Sequence, residues 1–163
     1  MYKKVESPDF VIKKSRNGCG VFTKKDFSAS ERLFEIHGVF LTCEEDEDLD
    51  EETRNNAYRF DKDLFISAPN TVADYVNHSC NPNARVEKIK NKLYMVSLYS
   101  IPKGGEVFFD YSTILANDDV WEMKCNCGEQ NCRQIVKKFN LLPHKVQKKY
   151  ISEKIVPQYI LDI

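Results

Sequence analysis

Three thiols stand within eight residues, at Cys125, Cys127 and Cys132. Thiolates so spaced suit a soft divalent ion, and zinc in a closed structural site takes four ligands in a tetrahedron. Three other cysteines can supply the fourth. Cys19 lies between two glycines, Cys43 borders an acidic run, and Cys80 precedes Asn81-Pro82, where the proline fixes a turn. Cys80 is the choice, so the metal would tie a C-terminal segment back onto the middle of the chain. His78 and Cys80, two residues apart, also invite thiolate nucleophilic catalysis. That chemistry needs an orienting third group, which is not identifiable, and a metal-bound Cys80 is not free to attack.

The elements that must position these residues read mostly as short strands. Phe10-Val11-Ile12 is a brief apolar run, and Gly18-Cys19-Gly20 leads into Val21-Phe22. Arg32 to Phe40 alternates as a strand broken at Gly38. Glu51 to Tyr58 suits a short helix, and Asp63 to Ser67 is a strand. Ala84–Lys90 and Leu93–Ser100 form a hairpin, with Leu93, Met95 and Ser97 on one face. Ile101-Pro102-Lys103-Gly104-Gly105 is turn chemistry, followed by a buried strand from Glu106 to Tyr111. From Pro143 to Lys154, Val146, Tyr150, Ile151 and Ile155 recur near the helical period and predict a terminal helix.

A 163-residue chain with 42% hydrophobic and 12% aromatic residues fits one globular domain, not a disordered or fibrous one. No apolar run is long enough to span a bilayer, so no membrane association is expected. The N-terminus lacks the apolar stretch of a secretory signal. The expectation is an intracellular protein, in cytoplasm or nucleus, whose cysteines serve metal rather than disulfides. Net charge is −1, yet Glu44 to Glu52 holds eight acidic residues in nine positions, leaving +7 on the rest. Such a run reads as a solvated loop or as a lure for a basic peptide. The lysines between Lys137 and Lys154 read as a solvated face; nucleic-acid contact has weak support, because no aromatic stripe accompanies them.

Taken together, the motifs resemble the SET-domain protein-lysine methyltransferases. Asn77-His78-Ser79-Cys80-Asn81-Pro82-Asn83 resembles that family's central signature, and Glu106-Val107-Phe108-Phe109-Asp110-Tyr111 its second. Gly18-Cys19-Gly20-Val21-Phe22 is similar to its opening turn, and the cysteine cluster to its post-SET zinc motif, whose fourth ligand is the signature cysteine, here Cys80. The resemblance implies a mostly β, β-clip-like fold of small curved sheets with a knot-like crossing, short helices and a C-terminal helical extension. It implies a SET domain over 8–115 with a variable insert about 43–60, a zinc-binding segment over 119–134 and a helical extension over 135–163.

It also implies S-adenosylmethionine as cofactor, structural zinc, and a lysine-containing basic protein or peptide, such as a histone-like tail, as partner. Tyr111 matches the catalytic tyrosine. Tyr58 resembles the tyrosine after the insert that lines the channel or the cofactor site. Phe109 occupies the product-specificity position, where phenylalanine leaves room for di- or trimethyl-lysine. Asn17, Gly18, Cys19 and Gly20 match the turn that approaches the cofactor, Asn77 and His78 the pair that holds it, and Tyr75, Tyr111 and Trp121 further contacts. Cys80, Cys125, Cys127 and Cys132 would ligate zinc.

Two departures from the pattern stand out. Ile36 replaces a tyrosine of the lysine channel, and Asp74-Tyr75 replaces an Arg-Phe pair beside the cofactor. Ile36 and the lysine-rich tail feed the alternative expectation, a catalytically silent zinc-containing module that binds peptide or nucleic acid.

Overall fold

A computed structural model describes residues 5–47 and 56–163. The acidic positions from 48 to 52, and the first part of the helix expected from Glu51, lie outside the described residues. Tyr58, expected at the end of that helix, lies in a strand instead. The Tyr58-Arg59-Phe60 alternation puts two aromatics on one face and pairs with a β-rich partner, and this outweighs the helix-forming acids before it.

Among the described residues the architecture is mostly β, in five small sheets. Strands β1 (Phe10–Ser15) and β2 (Gly18–Thr23) make an antiparallel hairpin. Strand β3 (Arg32–Ile36) pairs with β9 (Lys92–Ser97), which pairs with β8 (Ala84–Ile89). The second three-stranded sheet runs β4 (Val39–Thr42), β6 (Leu64–Ser67), β5 (Ala57–Asp61). A short helix, α1 (Cys43–Glu47), follows β4. The strand of the first signature lies against that of the second: β7 (Asn77–His78) pairs in parallel with β10 (Phe108–Phe109). Of the strand expected over Glu106–Tyr111, only Phe108 and Phe109 are β; Asp110 turns the chain into a 3-10 turn over Tyr111–Ile114.

Strands β11 (Met123–Lys124) and β12 (Ile135–Val136) form an antiparallel hairpin that carries Cys125, Cys127 and Cys132 in its loop. Two tail helices, α2 (His144–Ser152) and α3 (Gln158–Leu161), close the chain. Among the described residues no helix is long and apolar enough to cross a membrane.

The main core gathers the inward faces of the sheets, with Val21, Ile36, Leu93, Met95 and Val107 wholly or almost wholly buried. Burying a side chain of this kind contributes about 1.5–3 kcal/mol. A second cluster packs Phe139, Leu142, Tyr150, Ile155 and Ile160 beneath the tail. The third is small and consists of Cys80, Cys125 and Val136.

Candidate active site

The β7–β10 pairing places Asn77 opposite Phe108 and His78 opposite Phe109. The two signatures, 30 positions apart at their nearest strand ends in the sequence, are thereby fused into one strip. On one side of that strip lies a cavity of about 510 Å³. Its walls include Tyr58, Phe109, Tyr111 and Trp121, with Asp74, Asp118 and Asp119 around them. The rings touch in sequence: Tyr58 stacks on Phe109 at 5.6 Å, Phe109 tilts against Tyr111 at 4.8 Å, and Tyr111 lies 6.4 Å from Trp121.

Both tyrosine hydroxyls are oriented by the backbone. Tyr111 Oη donates to the Val76 carbonyl at 2.7 Å, and Tyr58 Oη to the Ala73 carbonyl at 2.8 Å. With their protons so used, each oxygen keeps acceptor capacity for an incoming N–H. Burial pushes both phenols well above their ordinary value, so both stay protonated.

His78 sits behind Tyr111. Its Nδ1 accepts the Tyr111 backbone N–H at 3.1 Å, which leaves the proton on Nε2, 3.4 Å from Cys80 Sγ. Burial lowers this imidazole to about 4, so it is neutral, and Asp110 Oδ1 at 3.6 Å is not its ion-pair partner. The Arg133 backbone N–H also reaches Cys80 Sγ, at 3.4 Å. Two N–H groups converging on one sulfur suit a thiolate better than a thiol.

The four thiol sulfurs Cys80, Cys125, Cys127 and Cys132 all lie within 4.8 Å of one another. Ligands at about 2.3 Å in a tetrahedron stand about 3.8 Å apart. Cys80 and Cys125 are separated by 3.8 Å, and all six cysteines are free of disulfides. Burial raises the Cys80 and Cys125 thiols above their ordinary value, a cost that a bound cation reverses. The donor set therefore fits zinc, with Cys80 as the fourth member.

The β1–β2 turn lies against the loop of the cysteine hairpin. Gly18 has φ +95°, a region that L side chains avoid. A Cβ on it would meet nothing within 4 Å, so conformation rather than crowding requires glycine there. Crowding acts at Gly20, where a Cβ would stand 2.0 Å from Glu106 Oε1 and 3.0 Å from Asn77 Nδ2. That close approach lets Asn77 Nδ2 donate to the Cys19 carbonyl at 2.9 Å and to Glu106 at 3.0 Å. The Arg16 guanidinium packs under Gly128 of the cysteine loop. The hairpin is thus tied to the β1–β2 turn through Arg16 and to the Asn77–Cys80 segment through its thiols.

The structure brings together most of the residues singled out above but sorts them into two groups. Tyr58, Phe109, Tyr111 and Trp121 line the cavity; Gly18, Cys19, Gly20, Asn77 and His78 lie along the strip and the turn. Asn17 lies in the turn itself, between the end of β1 and the start of β2. Trp121, expected with the cofactor group, shares the cavity with Tyr58. Tyr75 packs against the main core from the turn before β7. Ile36, expected to leave a channel wall without its hydroxyl, is 1% exposed and belongs to the main core, not to the cavity lining. The neighbouring His37 is exposed.

Sequence reasoning missed Arg59 and Asp110. Arg59 is 3% exposed and holds Asp118 and Asp119, each at 2.8 Å, which pins the segment before Trp121 to β5. Its signal was a charge set between two core aromatics in Tyr58-Arg59-Phe60. Asp110 is wholly buried and accepts from Arg133, Tyr150 and the Ser112 backbone N–H.

A sequence model of the SET domain matches residues 18–112. The chain is 32% identical over 128 residues to histone-lysine N-methyltransferase 2D of Homo sapiens, covering 72% of this chain and 2% of the relative. It is 34% identical over 134 residues to an H3 lysine-36-specific histone-lysine N-methyltransferase of Debaryomyces hansenii, and 32% identical over 142 residues to that of Saccharomyces cerevisiae. Those alignments cover 75% and 80% of this chain but 18% and 19% of the relatives, so the chain spans less than a fifth of their length. A crystal structure of KRYPTONITE in complex with mCHH DNA, an H3(1–15) peptide and SAH shares the fold, with a TM-score of 0.62 and 21% identity over 83% of this chain and 30% of that one. With the SET-domain match covering more than half its length and both signature strands paired, the chain belongs to the SET-domain family.

Proposed function

We propose that the chain is a protein-lysine N-methyltransferase that takes its methyl group from S-adenosylmethionine and acts on a basic, histone-like protein. The observation that carries this is the cavity walled by Tyr58, Phe109 and Tyr111, in which both tyrosine hydroxyl protons are committed to backbone carbonyls. A lysine side chain needs an apolar sleeve for its methylenes and acceptors for its amine, and this wall offers both. Asp74, Asp118 and Asp119 give the cavity the charge that draws a cationic side chain. The naming of relatives at 32–34% identity as histone-lysine N-methyltransferases supports the same reading.

The residues suited to hold the cofactor are the Asn17–Gly20 turn, Asn77 and His78. Bound there, S-adenosylmethionine supplies an electrophilic methyl group on a sulfonium. Tyr111 and Tyr58 aim the amine, and the apolar walls exclude water from it. Zinc on Cys80, Cys125, Cys127 and Cys132 is structural, holding the hairpin over the Asn77–Cys80 segment. Phe109 contributes no hydroxyl to the wall, which leaves space for an amine that already bears methyl groups; the product is di- or trimethyl-lysine.

Radiolabelled methyl transfer across an array of basic lysine peptides, read against an arginine-for-lysine array, tests the reaction. Label on the lysine array alone is expected; calorimetric cofactor binding without transfer would instead identify a silent binding module. A mass-spectrometric time course on an accepted peptide should pass through monomethyl to higher products. Phe109→Tyr should halt it at a lower degree, and a wild-type product that stops at one methyl contradicts the assignment.

A further inference from the structure

The two tail helices reach the backs of both cavity walls. Tyr150 of α2 is 3% exposed, and its hydroxyl donates to Asp110 Oδ2 at 2.8 Å. Asp110 stands between Phe109 and Tyr111 and caps the 3-10 turn that begins at Tyr111, its carboxylate accepting the Ser112 N–H at 3.1 Å and its carbonyl the Thr113 N–H at 2.9 Å. Tyr159 of α3 reaches the opposite wall, donating to the Arg59 carbonyl at 2.7 Å, one residue from Tyr58. Each cavity tyrosine is therefore backed by a tail tyrosine acting through one intervening residue. Both bonds cross long stretches of sequence, 40 residues for Tyr150 and 100 for Tyr159. The tail has its own apolar cluster, to which both tyrosine rings contribute.

We infer that Tyr150 and Tyr159 are positioning residues for methyl transfer, which makes the C-terminal tail a buttress that sets the spacing of Tyr58 and Tyr111. This rests on the methyltransferase reading. The physical reason is that the Asp110 carboxylate, wholly buried, fixes the φ/ψ of the turn carrying Tyr111 only while its acceptor sites are filled. With Tyr150 Oη removed, one oxygen of Asp110 loses a donor, and the turn relaxes toward the Arg133 side. Removing Tyr159 Oη frees β5 at Arg59 and lets the Tyr58 ring drift from Phe109.

Tyr150→Phe and Tyr159→Phe keep both rings and delete only the hydroxyls. Each should lower kcat tenfold or more while peptide KM, cofactor affinity and zinc content stay within twofold, since a displacement of roughly 1 Å at a reacting group costs about 100-fold. Ile155→Ala is the control: it cuts the tail cluster between the two tyrosines and touches neither hydroxyl. At matched thermal stability it should keep kcat within twofold. A kcat within twofold of wild type in either tyrosine variant, or an equal loss in Ile155→Ala, overturns the inference. Emission from Trp121, the single tryptophan, 6.4 Å from Tyr111, gives a readout independent of activity. If the wild type methylates nothing, a Trp121 shift in Tyr150→Phe but not in Ile155→Ala keeps the buttress and removes only the methyltransferase reading. No shift in either variant removes both.

Discussion

The β-sheet core and the cysteine hairpin contribute to the same site by different physics. The core holds Tyr58, Phe109 and Tyr111 through a large apolar cluster in which Val21, Leu93, Met95 and Val107 exclude water completely. The hairpin has one fully buried aliphatic residue, Val136, and four thiols. Area burial at about 25 cal/mol per Å² stabilises the first without help. Little apolar surface is buried under the hairpin to offset its chain entropy, so under the proposed zinc assignment its order would rest on metal–thiolate bonds. The walls of the cavity are thus intrinsic to the fold, whereas the proposed zinc assignment makes the cover over Asn77–Cys80 conditional on an ion.

Chelation breaks this comparison most severely. Stripping the metal, or Cys132→Ser, should abolish methyl transfer and cofactor binding while the far-UV circular dichroism of the sheets persists; a single transition in which both are lost together would show that the core is not independent. Tyr111→Phe is the counterpart in the wall. It should lower kcat roughly 100-fold, in line with the loss of one preorganised polar group, and leave the zinc content unchanged by atomic absorption.

Arg59→Met probes the joint between the two regions, because it frees the Asp118–Asp119 segment that leads to the hairpin. Removing one partner of a fully buried pair costs about 3–5 kcal/mol; Asp118 is half exposed, and that screening reduces the expectation to about 2 kcal/mol in urea unfolding. The smallest effect is alkaline. Burial raises Tyr58, Tyr111, Tyr150 and Tyr159 above the ordinary phenol value. A raised native pKa contributes stability that is complete below about pH 10 and is lost as pH rises beyond it, because the unfolded chain releases its protons first. Tyr159→Phe should make this decline shallower by about 1 kcal/mol at one unit above pH 10. The same protonation keeps Tyr111 from adding a descending limb to the pH–rate profile below pH 10.

Much of the site was legible because its chemistry is concentrated in short segments. Asn77–Cys80, Phe108–Tyr111 and Cys125–Cys132 each fit within a few residues, and local spacing is what sequence preserves. The resemblance assigns the position of Ile36 to a channel wall, whereas its neighbours on β3 and β9 hold it in the core. Tyr58 was assigned to a helix because acidic helix formers precede it; pairing of β5 with β6 decided otherwise. Arg59 was invisible as a structural cation because its partners lie 59 and 60 residues away.

The sequence by itself determined the donor set and the motif order: four thiols, two tyrosines, a phenylalanine at the wall, and glycines where the turn needs them. These follow from residue type and spacing, which are one-dimensional properties. Only the tertiary structure decided which aromatic groups share the cavity, that Cys80 meets Cys125 at 3.8 Å, and that Tyr150 and Tyr159 reach behind the walls. Those are outcomes of packing between elements distant in the chain, where the energy of a contact depends on every neighbour that fixes its geometry.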